Sequence, residues 1–152
     1  MKFMMNGALT IGTMDGANVE IVEHASKENA FIFGLTSDEV TAYYQNHQYQ
    51  PRAVYEHDER LHMIFEYIRG LDPNPQHFDY ILNQLLNGDY FFVLKDFDAY
   101  AHAQEQANKL YQDRKAWFQK SLMNIASSGY FSSDRTIESY AKDIWHIEPI
   151  NF

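Results

Sequence analysis

Apolar residues recur at helical spacing along most of this chain, and only a few short runs depart from it. Val54, Leu61, Ile64, Phe65 and Ile68 share a stripe between Arg52 and Arg69, with Pro51 just ahead and Gly70 at the close, which predicts one amphipathic helix. Ile81, Leu82, Leu85 and Leu86 form a second stripe from Phe78 to Leu86, ending near Gly88. Thr36 and Glu39 have the spacing of a capping box, so a helix is expected from about Ser37 to Gln45, broken by Tyr49 to Pro51. Asp72-Pro-Asn-Pro75 reads as a turn between helices. Helices are also expected over Asp98 to Gln112 and over Arg114 to Ser127, split near Asp113. In the second of these, Trp117, Phe118, Leu122, Met123 and Ile125 make a wide apolar face before Gly129. Ser132 to Thr136 places several side-chain oxygens ahead of Ile137, Tyr140, Ala141, Ile144 and Trp145, a helix start followed by an apolar stripe.

Near the N-terminus, Lys2 to Asn6 predicts a short helix stopped by Gly7, then a brief strand at Leu9 to Ile11, a glycine-flanked loop and a helix at about Asn18 to Glu23. Ala30 to Phe33 is a continuous apolar run ended by Gly34, as expected of a strand covered on both faces. Phe91 to Leu94 is a third strand candidate. The sum is an α/β chain dominated by helices, with two or three short parallel strands of a sheet whose other strands are expected outside it.

Composition narrows the functional classes. With 152 residues the chain is long enough for one domain over 1–152. Domains of this size bury roughly 70% of their unfolded surface. Lys and Arg number 12 against 21 Asp and Glu, a net charge of -9, which argues against nucleic acid or an anionic membrane as partner. There is no cysteine, hence no disulfide or thiolate metal site, which suits a reducing cytoplasm. No apolar run approaches the roughly 20 residues of a membrane span, and the start lacks the layout of a signal peptide. The eleven Tyr and eleven Phe are spread through the helical stripes, which favours packing over base or sugar stacking.

Three groupings could carry chemistry. Lys2 sits among Met1, Phe3, Met4 and Met5, and a partly desolvated amine is a nucleophile toward an aldehyde. The loop Gly12-Thr-Met-Asp-Gly16 runs on to Asn18 and Glu20 at the carboxyl end of the expected strand, where open α/β sheets place ligands. Asp15, Asn18 and Glu20 are read either as groups beside a bound ligand or as plain turn chemistry and a helix cap. His57 and His62 lie five apart on the predicted helix, so their rings diverge and no metal site is expected. A nucleophile elbow and a phosphate-binding Gly-Lys-Ser/Thr loop are both missing.

The opening string Met1-Lys-Phe-Met-Met-Asn-Gly-Ala-Leu-Thr-Ile-Gly-Thr-Met-Asp-Gly-Ala-Asn-Val-Glu20 closely resembles the α-glucan phosphorylases, with Lys2 at the place of the lysine that holds pyridoxal phosphate. Asn124 to Ile137, Tyr140 to Trp145 and the closing Glu148-Pro149 resemble the C-terminal signature of the same family. The resemblance implies a helix-rich C-terminal part of the second Rossmann-like, GT-B type domain, with a crossing helix at about 133–145. It implies a parent enzyme that uses phosphate to cleave α-1,4-glucan to glucose 1-phosphate. Only Lys2 carries over as a cofactor-binding residue, with Gly12, Thr13, Asp15, Gly16 and Asn18 as a loop beside the site. The groups that bind substrate phosphate and the sugar stand before this lysine in the family, so the chain is expected to be a fragment, inactive alone and with the cofactor place empty. The alternative is a non-enzymatic helical module that self-associates through apolar surface left uncovered.

Overall fold

The computed structural model describes residues 1–74, 76–148 and 150. Pro75 and Pro149, which the sequence places in a turn and in the closing signature, lie outside the described residues. The described chain is mostly helical: α1 (Lys2–Met5), α2 (Ala17–Ala25), α3 (Ser37–Asn46), α4 (Pro51–Glu56), α5 (Glu59–Arg69), α6 (Gln76–Asn87), α7 (Val93–Gln112), α8 (Arg114–Ser127) and α9 (Ser133–Ser139). Two short strands, β1 (Ile11–Gly12) and β2 (Phe31–Ile32), pair in parallel with Ile11 opposite Phe31 and Gly12 opposite Ile32. Both are half-buried, so the double coverage expected of Ala30 to Phe33 is not met within this chain. The chain divides into a terminal unit, Met1–Ile32 with Gln104–Phe152, and a central unit, Phe33–Ala103.

The central unit opens with the expected capping box: the Thr36 hydroxyl accepts from the Glu39 amide at 3.3 Å, and the Glu39 carboxylate accepts from the Thr36 amide at 2.8 Å. The single helix expected over Arg52 to Arg69 is instead two. Asp58 adopts an extended backbone and its carboxylate caps α5 by accepting from the Arg60 amide at 2.9 Å, which stops α4 at Glu56. Apolar spacing continues across such a break, which is why the stripe concealed it. Leu61 and Phe65 of α5, Leu82 and Leu86 of α6, and Leu94 of α7 form the buried core, with Val54, Tyr55, Ile68, Phe78, Leu85 and Phe97 packed around them. Ile81, assigned to the same buried stripe, is 57% exposed.

The third strand does not form. Phe91 and Phe92 belong to a turn, and Val93 and Leu94 are the first residues of α7. The cause is Asp89, a buried carboxylate that accepts from the Val93 amide at 2.8 Å and the Leu94 amide at 2.9 Å, satisfying donors that a helix start leaves open. Phe92 takes φ 56°, which reverses the chain and ends any extended run. A four-residue apolar stretch does not by itself separate strand from helix start.

In the terminal unit the buried cluster is smaller: Met4, Ile21 and Ala25, with Phe131 against them. Polar side chains of α8 hold the surrounding loops. Ser121 Oγ donates to the Gly7 carbonyl at 2.7 Å, Lys120 donates to the Glu28 carbonyl, and Asn124 Nδ2 donates to the Asn29 carbonyl at 2.9 Å. Asn124 is fully buried, and its Oδ1 has no hydrogen-bond partner among the described residues. The wide apolar face expected of α8 is largely in solvent, with Phe118, Leu122, Met123 and Ile125 all exposed. After α8 come a 3-10 turn, Ser128–Phe131, then α9, capped by the Ser132 hydroxyl, and a π-helical segment, Tyr140–Trp145.

Candidate functional site

Lys2 is the first residue of α1, a single turn whose end is fixed by Gly7 in the left-handed region at φ 82°. A side chain at Gly7 would be strained in that conformation and would meet Ser121 Oγ at 2.4 Å, so α1 is seated on α8 through a glycine. Met4 points into the cluster with Ile21 and Ala25, while Met1, Phe3 and Met5 are exposed. Lys2 is exposed as well, and the desolvated setting inferred from its apolar neighbours is not provided by this chain. Sequence neighbours one and two positions away on a helix face in different directions, so flanking methionines do not ensure burial. Among the described residues the Lys2 amine has no hydrogen bond or ion pair.

The loop after β1 is braced by its own groups. Asn18 Nδ2 donates to the Thr13 carbonyl at 2.9 Å, and the amides of Asp15 and Asn18 bond back to Thr13 and Asp15 carbonyls at 2.9 and 3.0 Å. A Cβ at Gly12 would lie 2.5 Å from Asn18 Nδ2, so a side chain there would push the Asn18 amide aside. Gly16 is needed for conformation alone: its φ is 49°, ψ is -134°, and nothing stands within 4 Å. Asn18 is therefore turned onto its own loop, while Asp15 and Glu20 are exposed. Strand, loop and α2 follow in the order expected, and the loop sits at the carboxyl end of β1.

Both candidate segments converge on one element. α1, which starts at Lys2, and α2, which the loop opens, each pack against α8, and α1 also meets the 3-10 turn at Ser128–Phe131. The start of the chain and its later signature, more than a hundred positions apart, thus share one unit. Beside them lies a half-open hollow of about 380 Å³ lined by Met1, Glu20, Tyr130, Phe131, Arg135 and Thr136, among others. The Arg135 guanidinium stacks over the Tyr130 ring at 3.9 Å and donates to the Tyr130 carbonyl, and the His24 ring also stacks on Tyr130, at 3.5 Å between ring centroids. Sequence reading treated Arg135 only as part of a helix start; an arginine three residues after a capping serine carries no signal of where its head will go.

Among the described residues no group of three His, Asp or Glu side chains could hold a metal ion. His57 and His62 go separate ways, the first to the Ala53 carbonyl at 2.7 Å and the second into a stack on Tyr55 at 4.1 Å. No helix among the described residues is long and apolar enough to cross a membrane.

Comparison with known proteins decides the ancestry, because the carbohydrate phosphorylase family model matches residues 1–147. The chain belongs to the carbohydrate phosphorylase family. It is 50% identical to the glycogen phosphorylase of Bacillus subtilis (strain 168) over 153 residues, which is 99% of this chain and 19% of that protein. It is 48% identical to the brain form and 47% identical to the liver form of human glycogen phosphorylase, covering 98% of this chain and 18% of each. The chain therefore spans about a fifth of the length of these relatives. The family match extends over both units, including the middle of the chain, between the two segments on which the resemblance rests.

Proposed function

We propose that this chain is the C-terminal part of an α-glucan phosphorylase that holds the pyridoxal phosphate anchor at Lys2 and has no phosphorolytic activity alone. In this reading residues 1–152, the helical segment at about 133–145 included, are a partial domain of GT-B type, the second Rossmann-like domain of a cytoplasmic enzyme. The parent would convert α-1,4-glucan and phosphate to glucose 1-phosphate. The observation that carries the proposal is the family match over 1–147, with Lys2 at the head of a turn that Met4 fastens to α2 and Gly7 to α8.

The residues present suit attachment of the cofactor and not its enclosure. Lys2 offers a primary amine exposed to solvent, which is the donor an aldehyde requires. When bound, pyridoxal phosphate supplies a phosphate group for proton exchange with the substrate phosphate. Lys2 would hold it, and the braced loop of Gly12, Thr13, Asp15, Gly16 and Asn18 would stand beside it as a fixed wall. Positioning and electrostatic stabilisation provide most of the acceleration in such chemistry, and Lys2 alone provides neither. Homo-oligomers are expected of the isolated chain because large apolar side chains of the terminal unit are exposed. The alternative of a free-standing interaction module finds no support in the comparisons.

The test is chemical. Incubation of the purified chain with pyridoxal phosphate, reduction with borohydride and peptide mass spectrometry should place the adduct on Lys2. Labelling scattered over the other lysines would overturn the anchor assignment, and glucose 1-phosphate formed by the chain alone from glycogen and phosphate would overturn the claim of inactivity.

A further inference from the structure

An asparagine followed by glycine is the one most open to reaction with its own main chain, because glycine has no Cβ to shield its amide nitrogen. The sequence has two such pairs, Asn6-Gly7 and Asn87-Gly88. The first belongs to the turn described at the candidate site. The second closes α6 in the central unit, with Asn87 exposed and Gly88 half-buried. Three hydrogen bonds hold the reacting groups there. Asn87 Nδ2 donates to the Asn83 carbonyl at 2.8 Å, Asn87 Oδ1 accepts from Arg52 Nη2 at 3.0 Å, and the Gly88 amide donates to the Gln84 carbonyl at 2.9 Å. Two of these are bonds of a final helical turn, which frays more readily than a helix middle. The third comes from the exposed side chain of Arg52 on α4 and is the only one of the three that a substitution can remove without touching the main chain.

We propose that Asn87 is a site of spontaneous modification, converted to aspartate and isoaspartate through a cyclic imide, and that its bond to Arg52 sets the rate. When the last turn of α6 opens, the Gly88 nitrogen attacks the Asn87 side-chain carbonyl carbon. A new N–C bond forms, the Cγ–Nδ2 bond breaks, and ammonia leaves with the proton that the Gly88 nitrogen gives up. Water then adds to one of the two imide carbonyls. Opening on one side gives aspartate on an unaltered main chain, whose carboxylate can pair with Arg52. Opening on the other side routes the main chain through the side chain and gives isoaspartate, which lengthens the backbone by one carbon. That extra carbon enters two positions before Asp89, the buried carboxylate that accepts from the Val93 and Leu94 amides and from the Tyr49 hydroxyl. The isoaspartate form therefore loosens the start of α7, and the aspartate form leaves it intact. The inference is independent of the functional reading above.

The test is a timed incubation of the full chain in warm, mildly alkaline buffer, with peptide mass spectrometry reading the conversion of amide to acid and chromatography separating the two products. Asn83, exposed on the same helix but followed by Gln84, is the internal control. Conversion at Asn87 should exceed that at Asn83 by at least about tenfold, and Arg52→Ala should raise the ratio at least about threefold further by freeing the carboxamide. Gly88→Ala should remove the excess. A Cβ there would lie 3.0 Å from Tyr90 Cε2 and 3.3 Å from the Gln84 carbonyl oxygen, and Tyr90 is exposed enough to give way. Conversion at Asn87 no faster than at Asn83, or an excess that survives Gly88→Ala, would overturn the site. A ratio indifferent to Arg52→Ala would overturn the part given to Arg52.

Hydrogen exchange on the aged chain tests the consequence. The Val93 and Leu94 amides should lose protection in the isoaspartate fraction and keep it in Asn87→Asp, which carries the new charge on an unaltered main chain. Equal protection in the two would overturn the link to α7.

Discussion

Five apolar side chains leave water together in the central unit, drawn from α5, α6 and α7, with six more half-buried around them. The terminal unit buries three in its cluster, and hydrogen bonds from α8 to main-chain carbonyls at Gly7, Glu28 and Asn29 do much of the remaining fastening. The difference is one of supply and not of composition. Apolar residues abound in the terminal unit, but Phe3, Phe118, Leu122, Ile144 and Trp145 stay in solvent. A side chain contributes its roughly 1.5–3 kcal/mol of burial only when something covers it. The central unit therefore has the larger buried cluster, although Tyr67, Tyr80 and Phe91 are exposed there too, and the terminal unit relies more on polar ties.

The sharpest way to break this contrast is a pair of truncations. Leu82→Ala removes a side chain that is 1% exposed and should cost about 2–5 kcal/mol in urea unfolding. Leu122→Ala, at 64% exposure, should stay within about 0.5 kcal/mol. Equal losses would mean that α8 is covered in solution.

Asp89→Ala comes next, at about 2–3 kcal/mol, because it strips two amide acceptors from the start of α7 and leaves the Tyr49 hydroxyl without its partner. Hydrogen exchange should show the loss at the amides of Val93 and Leu94. Protection there unchanged in the variant would mean that another group caps α7.

In the terminal unit, Asn124→Ala should cost about 1–2 kcal/mol, since the Asn29 carbonyl loses its donor in a buried place. The effect should appear as faster exchange between Ala25 and Phe31. A neutral outcome would show that the polar ties are ornamental and that the small apolar cluster suffices.

The smallest effect is a pH dependence confined to the central unit. Burial, and then the hydrogen bond and charge of Asp89, push the Tyr49 hydroxyl well above its ordinary value of 10.0. The folded state keeps that proton while the unfolded chain releases it, so stability is fully present below pH 10 and falls as pH rises beyond it. Tyr49→Phe should flatten this alkaline decline in a fluorescence-monitored pH series. An unchanged decline would assign it to other groups. At the acid end, Glu39 is held below its ordinary value by its bonds to the Thr36 amide and then hydroxyl. Its capping contribution is present above that ordinary value and lost as the carboxylate is protonated at lower pH.

Local chemistry was the legible part of the fold. The capping box at Thr36 and Glu39, the stop at Gly7 and the split near Asp113 each involve groups within a few positions of one another, and each formed as read; that the Asp113 carboxylate caps α8 is seen only in the structure. The misreadings came from apolar runs, whose meaning depends on what covers them. Phe91 to Leu94 turned into a helix start because Asp89, two residues earlier, offers its carboxylate to the chain. The helix from Arg52 to Arg69 broke because Asp58 preferred to cap. At the candidate site, the glycine-bounded loop after β1 was legible, but the exposure of Lys2 was not, since burial belongs to the partner surface and not to the residue. Arg135 and its place over Tyr130 depend on a tertiary approach that no local spacing announces.

The bond from Lys120 to Glu28 is asymmetric in a way that matters for variation. Its acceptor is a peptide oxygen, which any amino acid at position 28 would present, whereas its donor is one ammonium group on a long stem. Replacing Glu28 should leave the link untouched, and replacing Lys120 should erase it. Tolerance to change across this pair is thus predicted to be one-sided, with freedom on the loop and constraint on the helix.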